Sequence, residues 1–470
     1  MLGAAINVLP VMVQRNVPGI GPYVLYAYLL GAVPAILAAL AYASLASAMP
    51  RAGGSYVYAS RSLNPYLGFI ASFAHWFGLC MAIGVVSYLL IPFLRDIATA
   101  LSMTGLADIL DGGGVRVTAA LSFLWLFAGV NLLGVKFYER TLVPLMFLMF
   151  LAGSVVIISG FSFDHADFAA AIMRQEGVDV PLPPPAPFEL GKLLAASAIL
   201  FSSFIGFDSI AQAGGEAKNP NRSLPLAIGI SVIVVGSFYM LFTAAVYHTV
   251  PWNFVAERAM TTDLTAPGLL GYVLSPGWTV VIVAGAAIAL INDLPAMLLS
   301  VSRLMFAWAE DGIMPARIAH IHHRWRTPHV AIVSSTLMAS AGILGSHLAG
   351  DFFLGIDLLA TSMLVNFMLI CLSLLVLPVR NPTLAAEIRF LRGTPARTAV
   401  GVVGTLVLAS FLAIHIAKDM TSEVAAWYFH STPIWLLIMG AASLVFAWKW
   451  RKLRREGVDL ETLFSTLPEE

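Results

Sequence analysis

The stretch Leu194–Pro225, LAASAILFSSFIGFDSIAQAGGEAKNPNRSLP, departs most clearly from an ordinary apolar helix. It begins as a membrane-grade run, Leu194 to Phe201, and loses helical character around Ser202-Ser203-Phe204-Ile205-Gly206. A carboxylate, Asp208, then appears at membrane depth, followed at i+4 and i+8 by Gln212 and Glu216 on one helical face. An ionisable residue inside a membrane helix costs about 2.5–3.5 kcal/mol or more, so it marks a functional position by default. The reading is a broken transmembrane helix of the kind that lines a mid-membrane solute site.

The rest of the chain supplies the surroundings. Of 470 residues, 59% are hydrophobic and 11% charged, against about 25% charged in soluble domains, and the mean hydropathy is +0.85. The apolar runs are long and continuous rather than alternating, which selects helices over a β-barrel. Runs of spanning length fall near Tyr23–Ala48, Tyr66–Ile91, Val117–Leu133, Leu142–Gly160, Leu193–Gly215 and Leu226–Val250. Further runs lie near Thr279–Ala309, Val330–Leu348, Phe353–Leu377, Val400–Ala417 and Pro433–Trp450. With a short apolar start at Leu2–Val13, about twelve helices are expected, in an all-α integral membrane fold.

Loop charge sets the topology. If Pro50–Arg61 faces the cytoplasm, most of the 26 lysines and arginines, including the Lys449–Arg455 cluster, fall on that side, and the C-terminus is cytoplasmic. The loop Phe161–Lys192, with its PLPPPAP run, reads as an extended surface cover. Cys80 and Cys371 sit in apolar runs as small buried hydrophobes. Balanced charge, 26 basic against 26 acidic residues, offers no nucleic-acid surface. There is no nucleophile–base spacing, metal signature or phosphate loop, so no enzyme and no cofactor is expected. His320, His322 and His323 read as a solvated loop, and His75 and His415 as satisfied core histidines.

Three further features carry chemistry. Gly53-Gly54 in the first cytoplasmic loop suits a tight re-entry. Pro220 ends the sixth helix, with Ser223 the expected N-cap of the seventh and Pro225 in its first turn. Gly312 marks the end of the eighth helix. That helix also carries Asn292-Asp293-Leu294-Pro295, where Pro295 frees the Ile291 carbonyl beside an amide and a carboxylate; a proton or cation site and a hydrogen-bonded kink both fit this pattern. Glu216 and Arg303 are expected to pair near the cytoplasmic mouth as a gating or structural ion pair.

Taken together, PRAGGSYVYASRSLNPYLGF (50–69), FIGFD (204–208), GGEAKNPNRSLP (214–225), SRLMFAWAEDGIMP (302–315) and RTP (326–328) resemble the amino acid–polyamine–organocation superfamily of secondary transporters, in order and spacing to about Leu377. The resemblance implies a LeuT-type fold of two inverted five-helix repeats (1–160 and 193–377), two extra C-terminal helices (398–450) and a cytoplasmic tail (451–470). It implies alternating-access transport of an amino acid or related amine across the cell membrane, in contact with membrane lipid; a non-transporting sensor or partner subunit of the same fold is the competing reading.

The family's first-helix element falls on Gly3-Ala4-Ala5-Ile6, whose N–H groups would hold a substrate carboxylate. The chain departs from the family there: Ala5 replaces a glycine, and the first half-helix is absent, so a further segment is expected upstream of Met1. Ser203-Phe204-Ile205-Gly206 match the unwound sixth helix, whose carbonyls would accept from a substrate ammonium; Phe201, Phe204 or Phe207 would lid the site, and Ser202 stands where relatives often place a bulky aromatic gate. Asp208 matches the recurrent acid, either as a protonatable coupling group or as a carboxylate fixed by helix N–H groups. Ser300 and Ser302 are separated, whereas a LeuT-type sodium site wants adjacent hydroxyls, which favours protons over sodium. The fifth-helix lysine that some relatives use as a proton carrier is missing, since no lysine lies between Lys136 and Lys192.

Overall fold

The computed structural model describes residues 4–212, 214, 217, 219–350, 352–424 and 426–467. It is helical throughout, with no β-strand among the described residues. The first half contains α1 (Ala4–Asn16), α2 (Val24–Ala48), α3 (Gly54–Ser62), α4 (Pro65–Ala100), α5 (Thr104–Asp111), α6 (Gly113–Leu132), α7 (Val135–Ser162) and α8 (His165–Glu176). Then come α9 (Leu190–Leu200), α10 (Asp208–Gln212), α11 (Pro220–Thr249), α12 (Trp252–Ala259), α13 (Ala266–Leu270) and α14 (Pro276–Glu310). The chain finishes with α15 (His329–Leu348), α16 (Phe353–Arg380), α17 (Pro382–Ala386), α18 (Thr394–Thr421), α19 (Ser431–Arg455) and α20 (Leu460–Ser465).

Among the described residues, ten helices are long and apolar enough to cross a membrane. The chain is therefore a multi-pass helical membrane protein. The broken sixth span and the short α1 complete the expected set of about twelve.

The centre of the molecule is α4. It starts where Asn64 caps Leu67 N–H at 2.9 Å with Pro65 in the first turn. Its most apolar stretch is buried almost throughout, as a helix that is hydrophobic all round must be. It packs against α14, α15 and α16, while α2 packs against α11 and α16 against α18.

Local chemistry decides three boundaries. The sixth span breaks where expected: α9 gives way to a 3-10 turn over Phe201–Phe204, Ile205 is extended (ψ 145°), Gly206 takes φ +123°, and α10 restarts at Asp208. Gly312 follows α14 with φ +73°, and Ile313 N–H returns to the Trp308 carbonyl at 2.9 Å, closing the helix.

The seventh span differs from expectation. It begins at Pro220 after a left-handed Asn219, and the Ser223 hydroxyl bonds back to the Asn219 carbonyl at 3.1 Å instead of capping. Proline needs no N–H partner, so Pro220 opens the helix a turn earlier than Pro225 would. The loop 161–192 is also not wholly extended. Asp164 closes a capping box with Asp167 and starts α8, and only the Pro-rich part beyond Gly177 runs without secondary structure.

Candidate functional site

Asp208 is fully buried, and a buried carboxylate needs partners. Its Oδ1 accepts from the Gly206 N–H at 2.8 Å, so the acid caps the turn that restarts the broken helix. Its Oδ2 lies 2.8 Å from Nε2 of His75 on α4, which is equally buried. His75 Nδ1 in turn is 3.0 Å from the Ser55 hydroxyl. The network continues from there. Ser55 Oγ meets Tyr42 OH at 2.8 Å and receives the Gln212 amide at 2.8 Å, and Asn366 donates to Tyr42 OH at 2.7 Å. Five helices (α2, α3, α4, α10 and α16) therefore converge on one buried polar chain. Hydrophobic rings enclose it: Tyr42, Phe207 and Phe367 are mutually in contact, with Phe201 edge-on to Phe367.

The two glycines of the first loop make this convergence possible. Gly53 takes φ +75°, and a Cβ there would lie 2.3 Å from Ala307 Cβ on α14. A Cβ on Gly54 would lie 2.7 Å from the Ala211 carbonyl on α10. Gly53 N–H donates to the Gln212 carbonyl and Ser55 N–H to its side-chain oxygen. The start of α3 is thus wedged between the broken helix and α14.

Arg61, at the far end of α3, makes a two-pronged bond to Asp311 at 2.6 and 3.1 Å, both side chains buried. Burial disfavours the guanidinium charge, but Asp311 outweighs it and holds Arg61 firmly cationic. The motif around Gly53 and the motif around Gly312 are therefore tied to each other at one end of the bundle.

The other end carries a second set of ion pairs. Asp263 bridges Arg15 (3.2 Å) and Arg116 (3.0 Å), and Arg95 meets Asp96 at 2.8 Å. Arg95, Asp96, Arg258, Asp263 and Thr265 wall a cavity of about 470 Å³ there. Arg61 precedes α4 and Arg95 lies near its end, so the two sets of ion pairs sit roughly 45 Å apart along that helix, at 1.5 Å per residue. His75 lies between them.

The residues expected to form the site are distributed as follows. Ser203 bonds Tyr28 OH at 3.1 Å, Phe204 sits against Tyr28 and Tyr239, and Ser202 turns its hydroxyl to the Ile199 carbonyl. Gly3 lies outside the described residues. Ala4, Ala5 and Ile6 open the described part of α1. Ile6 and Asn7 face α7, α11 and α14 across a cavity of about 10 Å³, scarcely room for one water. Asn292 and Asp293 are half-buried on α14, which runs unbroken through Pro295, and the buried Asn292 Oδ1 has no hydrogen-bond partner among the described residues. Arg303 is buried with its guanidinium 3.5 Å from Ser302 Oγ; Glu216 lies outside the described residues, and the expected pair with it.

His75, Ser55, Tyr42 and Asn366 were not among the expected site residues. The signal available for His75 was that a buried histidine and a buried aspartate in one membrane protein each require a partner; which partner is a tertiary matter.

Fold and site define a polytopic helical membrane protein built around a broken helix and a buried acid–histidine pair, ion-paired at both ends. The chain belongs to the amino acid permease family, whose model matches residues 11–456. It is 26% identical to human cationic amino acid transporter 4 over 377 residues, 74% of this chain and 52% of that protein. It is 25% identical to the branched-chain amino acid permease BcaP of Bacillus subtilis over 380 residues (77% and 75%), and 24% identical to the low-affinity putrescine importer PlaP of Escherichia coli over 343 residues (73% and 69%). The chain spans about half the length of the animal cationic amino acid transporters it matches. These relatives are transporters, not enzymes.

Proposed function

We propose that this chain is a secondary active transporter moving an amino acid or related amine across the cell membrane by alternating access, with its C-terminus cytoplasmic and with two inverted repeats, 1–160 and 193–377, as its moving parts. The observation that carries the reading is the sixth span, which breaks over Phe201–Phe207 and resumes at an Asp208 fixed to His75. Unwound carbonyls accept from an ammonium group, and the backbone N–H groups around Ala4–Ile6 hold a carboxylate, which favours amino acids over simple polyamines.

The Asp208–His75 pair is the coupling element. A proton taken up between the two side chains changes whether α10 is held to α4, and hence how freely the broken helix moves. Asn292 and Asp293 on α14 form a secondary polar station, and Arg303 with Glu216 a gate at the mouth. Proton coupling is favoured over sodium because Ser300 and Ser302 do not present adjacent hydroxyls.

The test is uptake into proteoliposomes across a panel of amino acids and amines, with and without an imposed pH gradient, in the native chain and in Asp208→Asn. Gradient-driven uptake of at least one amino acid is expected, with its pH dependence abolished by the substitution. Stoichiometric solute binding without uptake in any gradient would replace transport by a sensor role. An unchanged pH profile in Asp208→Asn would remove the coupling assignment.

A further inference from the structure

A strap of backbone following α17 folds under the end of α2. The N–H groups of Arg389 and Phe390 both point at the Ser47 hydroxyl, at 3.0 and 3.4 Å. Two cavities lie on either side of this strap. On one side Arg389, Arg392 and Arg397, with Glu387 as the only acid, wall a recess of about 380 Å³. The buried Nε of Arg397 has no hydrogen-bond partner among the described residues, and the Arg389–Glu387 contact is a loose 4.0 Å between two exposed side chains. On the other side Phe390 closes an apolar groove of about 390 Å³ between α2 and α11, lined by Leu29, Ile36, Ala43, Val232 and Met240.

The groove has the dimensions of a lipid chain. From Ala43 to Leu29 it runs roughly 21 Å at 1.5 Å per helical residue, somewhat more than one leaflet of a hydrocarbon core about 30 Å thick. Its rim residues Leu29, Ile36 and Ile233 are exposed on the outer surface of the helix bundle. Guanidinium groups bind phosphate oxygens through paired N–H donors, and basic pockets at the membrane edge select anionic headgroups. We propose that this is a binding site for an anionic phospholipid, with its phosphate on Arg389, Arg392 and Arg397 and one acyl chain in the α2–α11 groove. The inner wall of the groove includes Phe204, so the bound chain touches the broken helix itself.

The proposal is tested on the full-length protein in mild detergent by native mass spectrometry. The probes are phosphatidylglycerol, phosphatidylcholine with the same chains, and glycerol phosphate as the headgroup alone. Two variants separate the halves of the site. Arg392→Gln removes one guanidinium. Gly229→Phe directs a ring into the groove from a position where an added Cβ meets nothing within 4 Å, and its melting temperature reports whether the helix packing is kept.

Phosphatidylglycerol is expected to be retained about tenfold over phosphatidylcholine, and Arg392→Gln to lower that preference about fivefold. Gly229→Phe is expected to lose both lipids while its melting temperature stays that of the native chain. Equal retention of the two lipids, or native-like binding in both variants, overturns the site. Competition by glycerol phosphate as effective as that of the lipid also overturns it, because the occupant would then be a free anion. Should Arg392→Gln fail to fold, Arg397→Gln reads the same headgroup contact.

Discussion

Asp208 Oδ2 and His75 Nε2, both fully buried, face each other at 2.8 Å, so each side chain's charge is offset by the other. Removing one partner of a buried ion pair costs about 3–5 kcal/mol, so His75→Ala should lower the free energy of unfolding by an amount of that order. Adding Asp208→Asn to it should recover part of the loss, because a neutral amide is cheaper to bury than an orphaned carboxylate. A double-mutant cycle on the purified protein measures this, and strict additivity would mean that the two residues do not act on each other. Tyr42→Phe removes the hydroxyl shared by Ser55 and Asn366, an expected cost of about 1–3 kcal/mol. Along the sequence, Asp208 and Gln212 announce themselves by charge and helical spacing. His75 does not, because an isolated histidine in an apolar run looks the same whether it faces a backbone carbonyl or a carboxylate from another helix.

For the element α3, close approach is the controlling fact. Gly53→Ala meets both a left-handed backbone angle and an Ala307 methyl 2.3 Å away, an expected loss of at least about 1–3 kcal/mol. Gly114→Ala, where nothing lies within 4 Å, should be neutral or stabilising by up to about 1 kcal/mol. Melting temperatures of the two variants distinguish crowding from a generic glycine effect.

The tail element has its own chemistry. Arg61 donates to the carbonyls of Leu463 and Thr466, Phe464 lies under its guanidinium at 5.1 Å, and Asn381 donates to the Ser465 carbonyl at 2.9 Å. Asp459 caps α20, and its bonds to the Thr462 side chain and backbone hold its carboxyl below the ordinary carboxylate range. A depressed acid stabilises the state in which it is bonded at all pH values above its unfolded value of about 3.9, and that contribution disappears as pH falls through the lower, folded value. Docking of α20 should therefore be unchanged from pH 8 to 5 and weaken below about pH 4. Cys80 and Cys371 are buried, so a fluorophore on Glu461→Cys reports on the tail alone.

Across the whole molecule, charge asymmetry predicts that the same Glu461→Cys label reacts in permeabilised cells and not in intact ones. Labelling from outside would invert the assigned topology. The spans were legible because each is a continuous apolar run, and the break in the sixth was legible because two serines, a glycine and an acid interrupt one. Less legible was whatever depends on competing local signals. The PLPPPAP run masked the capping box that starts α8, and two prolines five residues apart left the start of α11 ambiguous until the left-handed Asn219 decided it. The convergence of Gly53, Arg61, Asp311 and Gln212 was not legible at all, since their motifs touch only when the bundle closes.

The docking of α20 on Arg61 also bears on how the protein is handled. The Thr466 carbonyl is bonded to the guanidinium that joins α3 to Asp311. An affinity tag inserted just after Thr466 would hang directly from that contact. Its bulk would pull on the Arg61–Asp311 junction, and kinetic constants from such a preparation would describe a molecule perturbed where α3 meets the end of α14. A cleavable tag behind a long flexible linker, or one placed at the exposed residues 177–179, leaves that junction as the fold made it.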